Sequence, residues 1–238
     1  MEFRGFAGLF YKISDLITMF TGSNLLWALF NLPLLYLVFS MLFVQNSNQL
    51  ITLVVTMLIL APFIFFPATT AMFGVIRKRI LGEDIKLMQS FWRYYKENYG
   101  RSMVGGLLIG FMWIVLIVDY YFFTAYVANW FMYPFLILAL FLFVFTLHFF
   151  SLTVHVDSKL KETFKVGLLL TLGNPLLTLG LGVITGFIIY VSFQVVTFLI
   201  PFFMGSLISY LSFLAFYKFF MRFIKSIGQT GVSDTPAN

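Results

Sequence analysis

Six long apolar runs dominate the chain, and each has the length needed to cross a membrane. A spanning helix requires about 20 apolar residues, and short polar segments separate runs of this length throughout the sequence. We therefore predict an all-α, polytopic membrane helix bundle in which six transmembrane helices form three hairpins. The predicted spans are residues 24–44, 50–76, 102–122, 131–153, 173–195 and 198–220.

Three other segments place apolar side chains at helical spacing but are too polar to span. We predict that residues 3–20, 83–99 and 160–172 form amphipathic helices at the membrane interface. A predicted break follows each of them, at Gly22-Ser23-Asn24, Gly100-Arg101-Ser102 and Gly173-Asn174-Pro175. This recurrence indicates either an internal repeat or the ordinary alternation of a polytopic protein. Residues 1–225 are predicted to form one domain, and the polar tail 226–238 is predicted to be disordered.

The positive charges fall on one side of the membrane when the hairpins are threaded out and back. All 15 Lys and Arg residues lie within residues 1–23, 77–101, 155–165 and 218–238, and the alternate connections contain none. Short segments rich in Lys and Arg remain cytoplasmic. We therefore predict that the protein is multi-pass and that both termini face the cytoplasm.

The composition excludes several functional classes. Apolar residues make up 61% of the chain and charged residues 10%, against about 25% charged in a soluble domain, so membrane lipids are an expected partner. The net charge of +6 is scattered over separate juxtamembrane segments, which argues against nucleic acid. Cysteine is absent, and so is the GxxxxGK[ST] loop that binds ATP. We expect no cofactor, no metal site, no direct ATP binding and no enzymatic activity.

A set of motifs in residues 61–101 has a specific pattern. It comprises Pro67-Ala68-Thr69-Thr70-Ala71, Arg77-Lys78-Arg79, Glu83-Asp84, and Phe91 followed by Lys96-Glu97-Asn98-Tyr99, with Asn24 to Trp27, Leu32-Pro33 and Asn174-Pro175 elsewhere in the chain. This pattern resembles the YesL-like family of bacterial integral membrane proteins, a domain family of unknown function. The resemblance implies a companion of carbohydrate uptake systems of the ATP-binding cassette (ABC) type in the cytoplasmic membrane, and it implies no catalytic residues.

Two groups of residues are candidate sites. A polar pocket could form where helix breaks expose carbonyl groups to ions or sugar hydroxyls, although ordinary kinks are the alternative; its residues would be Asn31, Pro33, Pro67, Thr69 and Thr70. A surface for docking a partner or lipid could include the aromatic and basic segment with Phe91, Trp92, Arg93, Tyr95 and Lys96. Gly182 and Gly186 have the spacing that lets membrane helices approach closely, either within the bundle or with another subunit.

The ionisable residues of the spans give weaker signals. His148 and His155, with Asp157 nearby, could suggest a metal or proton site, but two histidines without a third ligand are weak evidence. We expect His148 to be hydrogen-bonded within the bundle, and His155 and Asp157 to be solvated. Asp119 lies among tyrosines, so we expect an interfacial anchor rather than a proton relay.

These expectations favour a non-catalytic accessory or assembly subunit of a bacterial carbohydrate ABC-type import complex. Docking would involve the spans and the cytoplasmic interface helices, and the partners would be other membrane subunits of the importer. The alternative is a self-contained channel or secondary transporter that uses the Pro-broken spans one and two. An intramembrane enzyme is a more distant third possibility.

Overall fold

The computed structural model describes residues 6–230 of the 238-residue chain, and these residues are almost entirely helical. The α-helices are α1 Phe6–Phe30, α2 Leu32–Ser40, α3 Ser47–Leu81, α4 Leu87–Phe122, α5 Met132–His155, α6 Leu160–Gly173, α7 Pro175–Gln194 and α8 Gly205–Thr230. Short 3₁₀ turns occur at Met41–Phe43 and Asn129–Phe131, and π-helical turns at Phe123–Val127 and Ile200–Met204. No strand occurs between residues 6 and 230, which confirms the predicted all-α fold class.

Long helices pack side by side, and their contacts define two ends of the bundle. α3 and α4 run antiparallel, because Gly74 lies against Tyr94 and Gly106 lies against Phe66. The connection between α3 and α4, residues 82–86, marks what we call the basal end. The opposite end, where α4 turns into α5, is the distal end.

Within residues 6–230, six helical segments are long and apolar enough to cross a membrane, which makes this a multi-pass membrane protein. They are Phe10–Phe30, Ser47–Leu81, Leu87–Val127, Asn129–His155, Pro175–Gln194 and Ile200–Arg222. The number agrees with the prediction, but the first segment differs from the predicted span 24–44. The apolar stretch after residue 30 is instead the shorter helical segment Leu32–Phe43.

Gly22 does not interrupt the first helix, because α1 is continuous from Phe6 to Phe30. The predicted interface helix 3–20 and the beginning of the predicted first span therefore belong to one helix, apart from residues 3–5, which lie outside the described residues. A Cβ atom at Gly22 would clash with Leu87 at the start of α4. This glycine provides room for a neighbouring helix rather than a break.

The predicted break at Gly100-Arg101-Ser102 is also absent. α4 runs without interruption from Leu87 to Phe122, so the predicted interface helix 83–99 is largely the basal part of the same helix as the third span. A single glycine inside a helix costs only about 1 kcal/mol. Ser102, two residues after this glycine, is buried and bonded to α3, so tertiary contacts hold the helix together across Gly100.

Two other predicted interruptions are present. α1 ends at Phe30 and α2 begins at Leu32, with Pro33 in the first turn of α2, where a missing N–H costs little. α6 ends at Gly173 and α7 begins at Pro175. α6 packs along α5 through its buried face instead of lying apart from the bundle. α8 continues to Thr230, beyond the predicted start of the tail, and residues 231–238 lie outside the described residues.

The densest packing lies in the basal half of the bundle. Large side chains from α3, α4, α5 and α8 meet there and are almost completely buried: Phe73, Phe91, Phe145, Phe149, Phe213 and Phe216. In the distal half, the helices expose many large apolar side chains. The basal half therefore provides the rigid frame on which the candidate sites are placed.

Candidate functional site

The candidate pocket residues on α3 lie in a packed seam between α1, α3 and α4. Trp27 of α1 donates its indole N–H to the hydroxyl of Thr69 over 3.0 Å. The hydroxyl of Thr70 donates to the carbonyl of Phe66 over 2.9 Å and accepts a bond of 2.8 Å from Ser102 of α4. The two threonine hydroxyls therefore join helices.

Asn31 and Pro33 lie at the break between α1 and α2. Asn31 is buried, and its side-chain amide donates to the carbonyl of Trp27 over 2.8 Å. Its Oδ1 atom is buried and has no hydrogen-bond partner among the described residues. Pro33 is exposed, whereas Pro67 on α3 is buried. The structure thus brings Asn31 and Thr69 together through Trp27 and leaves Pro33 on the outer surface.

Asn24 makes the longest-range polar connection in the described part of the chain. Its side-chain N–H₂ group donates to the carbonyl groups of Ile200 and Pro201 over 3.0 and 2.7 Å, and its Oδ1 accepts from the backbone N–H of Ser206 over 3.1 Å. The π-helical turn Ile200–Met204 interrupts regular helical bonding before α8. One buried side chain therefore holds this irregular turn against α1. Sequence reasoning assigned Asn24 to a break and to the motif Asn24 to Trp27, although an asparagine within an apolar run was also a signal of interhelical bonding.

The candidate docking residues of α4 form a ridge near the basal end. Trp92, Arg93 and Lys96 are exposed, and we call these three side chains the α4 ridge. The Lys96 ammonium lies 4.9 Å from the centre of the Trp92 ring, and the guanidinium carbon of Arg93 lies 5.2 Å from the ring centre of Tyr94. Such cation–π contacts restrict the long charged side chains.

The α4 ridge stands on an aromatic base that ties it to α1. Phe91 is fully buried, and the Phe30 ring lies 5.0 Å from Phe91 and 4.8 Å from Tyr95 between ring centres. Trp92 stacks on Tyr95 with an interplanar angle of 6°. Phe91 and Tyr95 therefore support the exposed residues, and only Trp92, Arg93 and Lys96 of the five predicted docking residues on α4 offer a free face.

Gly182 and Gly186 differ in their surroundings. A Cβ atom at Gly182 would clash with Leu140 of α5, so this glycine serves packing within the bundle. Gly186 is exposed, and a Cβ atom there would meet nothing within 4 Å. Of the two predicted docking glycines, only Gly186 lies on the free surface of α7.

His148 does not make the expected hydrogen bonds. The residue is 1% exposed, and neither ring nitrogen has a partner among the described residues. His155 is partly buried rather than solvated, with its ring centre 5.4 to 5.7 Å from those of Phe213, Phe216, Tyr217 and Phe220. Asp157 is exposed, as expected. No group of three or more His, Asp or Glu side chains suited to a metal ion occurs in the described residues.

Several basal cations already have partners within the chain. Arg79 pairs with Asp15 at 2.6 Å, which joins α3 to α1. Arg77 pairs with Glu83 at 3.1 Å and donates to the Tyr94 hydroxyl at 3.1 Å. Arg101 is bound into the connection between α5 and α6, where it donates to the Val156 carbonyl over 2.8 Å and to the Thr163 hydroxyl over 3.0 Å. These arginines join separate segments of the basal half, whereas Arg93 of the ridge pairs only with Glu97 of its own helix, at 3.8 Å between exposed side chains.

Open clefts occur at the distal turns. The larger, of about 680 Å³, is lined by Tyr120, Tyr121, Thr124, Ala125, Asn129, Trp130, Met132 and Tyr133, next to Asp119. Asp119 is exposed, consistent with a place at an outer interface. A second cleft, of about 610 Å³, lies around the turn between α2 and α3. None of the five candidate pocket residues lines either cleft.

Comparisons with known proteins identify relatives without an assigned activity. A family model described as "Protein of unknown function, DUF624" matches residues 20–120. The uncharacterized protein YteU of Bacillus subtilis (strain 168) is 29% identical over 216 residues, covering 88% of this chain and 84% of that protein. The uncharacterized protein YesV of the same organism is 28% identical over 142 residues, covering 58% of this chain and 67% of that protein.

No solved structure matches the chain. The family model runs from Phe20 of α1 through most of α4. It therefore includes the packed seam between α1, α3 and α4, as well as Asn24 and the α4 ridge. These matches confirm the resemblance that the motifs predicted. The chain is therefore similar, over residues 20–120, to the DUF624 proteins of unknown function, which are of the YesL-like type.

Proposed function

We propose that the protein is a non-catalytic accessory or assembly subunit of a bacterial carbohydrate ABC-type import complex. It would lie in the cytoplasmic membrane with its basal end in the cytoplasm. The family resemblance supplies the class of partner. The α4 ridge carries the docking proposal, because it is an exposed aromatic and cationic surface built on a buried aromatic base.

The length of the central hairpin supports a basal end that reaches beyond the hydrocarbon. α3 has 35 residues and α4 has 36, which at 1.5 Å per residue correspond to about 52 and 54 Å. The hydrocarbon core is about 30 Å thick. If these helices stand nearly upright, roughly 20 Å of each extends past the core, and Trp92 near the start of α4 is within that extension. Segments rich in Lys and Arg remain on the cytoplasmic side of a membrane. We therefore place the basal end in the cytoplasm.

The construction of the ridge suits a protein interface. Trp and Arg are the side chains most enriched among residues that dominate binding energy. Their cation–π contacts and the aromatic base already restrict their rotamers, so binding would cost less side-chain entropy. Anionic headgroups are the competing partner for this surface, since Lys, Arg and Trp also favour membrane interfaces.

Co-purification from native membrane tests the proposal. The chain is extracted in a mild detergent from cells that express a sugar importer, and the recovered proteins are identified by mass spectrometry. We expect permease and ATPase subunits to be recovered with the wild-type chain. The combined variant Trp92→Ala, Arg93→Ala and Lys96→Ala should lower their recovery at least tenfold at equal abundance of the chain.

A matched control separates the ridge from net charge. Lys159→Ala with Lys161→Ala removes two exposed cations from another basal segment and should leave recovery unchanged. Equal losses in the ridge and control variants would assign the effect to overall charge. Recovery of the wild-type chain without any importer subunit would contradict the accessory role.

A channel or secondary transporter remains the second candidate, favoured by one observation. Asn31 presents a buried, unpartnered Oδ1 atom at the break between α1 and α2, and broken helices form solute sites in many transporters. The purified protein would then move a solute across liposomes unaided. Asn31→Leu, or replacement of Pro67, Thr69 and Thr70, should alter that flux. If the protein moves none of the sugars and ions tested, that result counts against this candidate.

A further inference from the structure

His148 is a buried polar residue for which the bundle supplies no hydrogen-bond partner. A neutral imidazole has one donor and one acceptor nitrogen, and neither is bonded to any described residue. The side chain is 1% exposed and lies in α5 between other buried residues, so neither bulk water nor headgroups reach it. Buried polar groups left unpaired are rare because their lost hydration is not replaced.

Ser212 of α8 has the same unusual property. It is fully buried, and its hydroxyl has no partner among the described residues. Two other serines of α8 behave ordinarily: Ser206 donates to the Phe203 carbonyl over 3.0 Å, and Ser209 donates to the Gly205 carbonyl over 2.8 Å. The hydroxyl of Ser212 therefore does not use the bond that its own helix would offer.

The two unpartnered side chains belong to helices that contact each other. The ring centre of His148 lies 6.3 Å from that of Phe216, which is four residues after Ser212 and thus on the same face of α8. The contact between α5 and α8 also includes His155, whose ring meets Phe213 and Phe216 and whose buried Nδ1 likewise has no partner among the described residues. His148 and Ser212 therefore lie at one helix–helix interface, on either side of the position of Phe216.

We propose that His148 and Ser212 form a binding site for an ordered water molecule between α5 and α8. A water molecule supplies two donors and accepts two bonds, so it can satisfy both the imidazole and the hydroxyl. The ligand class is a small neutral hydrogen-bonding molecule. A metal ion would need further ligands that the described residues do not group together. This site lies apart from the α4 ridge and does not depend on the proposed function.

Hydroxyl-radical footprinting of the purified full-length chain in lipid nanodiscs tests this site. Radicals produced by X-ray radiolysis of water oxidise side chains that touch water, including ordered internal molecules. We expect His148 to be modified at least tenfold faster than Phe149, the adjacent side chain that is fully buried and apolar. Equal slow modification of His148 and Phe149 in the wild-type chain would overturn the proposal without the need for any variant.

Matched serine variants test the part played by Ser212. Ser212→Ala should lower the modification rate of His148 at least threefold, whereas Ser209→Ala should leave it unchanged because that hydroxyl is bonded to its own helix. Ser212→Thr, which keeps a hydroxyl, should preserve the rate. Thermal melting identifies variants that fail to fold. The same fall in rate for Ser209→Ala and Ser212→Ala, or no fall for either, would refute the assignment of Ser212.

Discussion

The basal and distal halves of the bundle differ in how their helices are joined. In the basal half, side chains bond across helices: Asn24 to Pro201, Trp27 to Thr69, Ser102 to Thr70 and Arg79 to Asp15. In the distal half, the described side-chain bonds close within one turn of their own segment, as in Ser40 to Tyr36, Thr52 to Asn48 and Thr124 to Tyr120. Interhelical hydrogen bonds and ion pairs thus occur in the same half of the bundle as the large buried aromatic rings.

This difference follows from the solvent. Lipid tails are as apolar as leucine, so apolar side chains gain little by leaving them, and close packing with hydrogen bonds must hold membrane helices together. The distal half exposes side chains such as Phe111, Tyr121 and Leu136 that lipid can solvate. The basal half should therefore carry most of the stability, and paired substitutions in the two halves can test this.

The largest expected effect comes from Gly105 on α4. A Cβ atom there would clash with the fully buried ring of Phe149, so Gly105→Leu should destabilise the bundle by about 3 kcal/mol, at the upper end of the usual cost of overpacking. Gly110→Leu, further towards the distal end of the same helix, meets nothing within 4 Å at Cβ and should not destabilise the bundle, since leucine also favours a helix more than glycine does. Unfolding in detergent titrated with sodium dodecyl sulfate measures both. Similar losses would contradict the contrast between halves.

Asn24→Ala should give the next largest effect. It removes three bonds to the turn before α8 and to the first residues of α8, and it leaves the buried N–H of Ser206 unpaired, so we expect a loss of about 2 kcal/mol. Hydrogen exchange followed by mass spectrometry should show faster exchange confined to residues 195–206. Asn129→Ala, which alters an exposed distal asparagine, is the control and should leave exchange in that segment unchanged.

The bond between Ser102 and Thr70 should contribute the smallest of these effects. Interhelical hydrogen bonds in membrane proteins average about 0.6 kcal/mol in double-mutant cycles. Ser102→Ala and Thr70→Val should each reduce stability, and the double variant should lose less than the sum of the single losses by about that amount. Strictly additive losses would show that the two hydroxyls do not stabilise each other.

Sequence patterns predicted the features that depend on local chemistry. The apolar runs predicted the number of helices long enough to span within residues 6–230, although the first of these helices is Phe10–Phe30 rather than 24–44. Asn31-Leu32-Pro33 and Asn174-Pro175 predicted interruptions that the structure contains. The motifs around Pro67 and Arg77 predicted the resemblance to the DUF624 proteins that the comparisons confirm. These signals act within a few residues, because a proline removes its own N–H and restricts the residue before it whatever surrounds it.

Features that depend on neighbouring helices could not be predicted from local sequence patterns. Gly22 was expected to break a helix but accommodates Leu87, and only the placement of α4 decides between these roles. His148 was expected to find a partner, yet the facing residues of α8 are not specified by its own segment. Asn24 was assigned to a break, while its bonds depend on a turn 177 positions away. In each case the missing information was which helix faces which.

Asn24 and its partners are far apart in the sequence, which has a consequence for biogenesis. During synthesis α1 enters the membrane early, but its asparagine cannot complete its bonds until Pro201 and Ser206 have emerged from the ribosome. Chains released before that point should carry an exposed amide in lipid, which quality-control proteases that survey membrane segments could recognise. The first helix therefore completes its polar contacts only after the segment before α8 has been made.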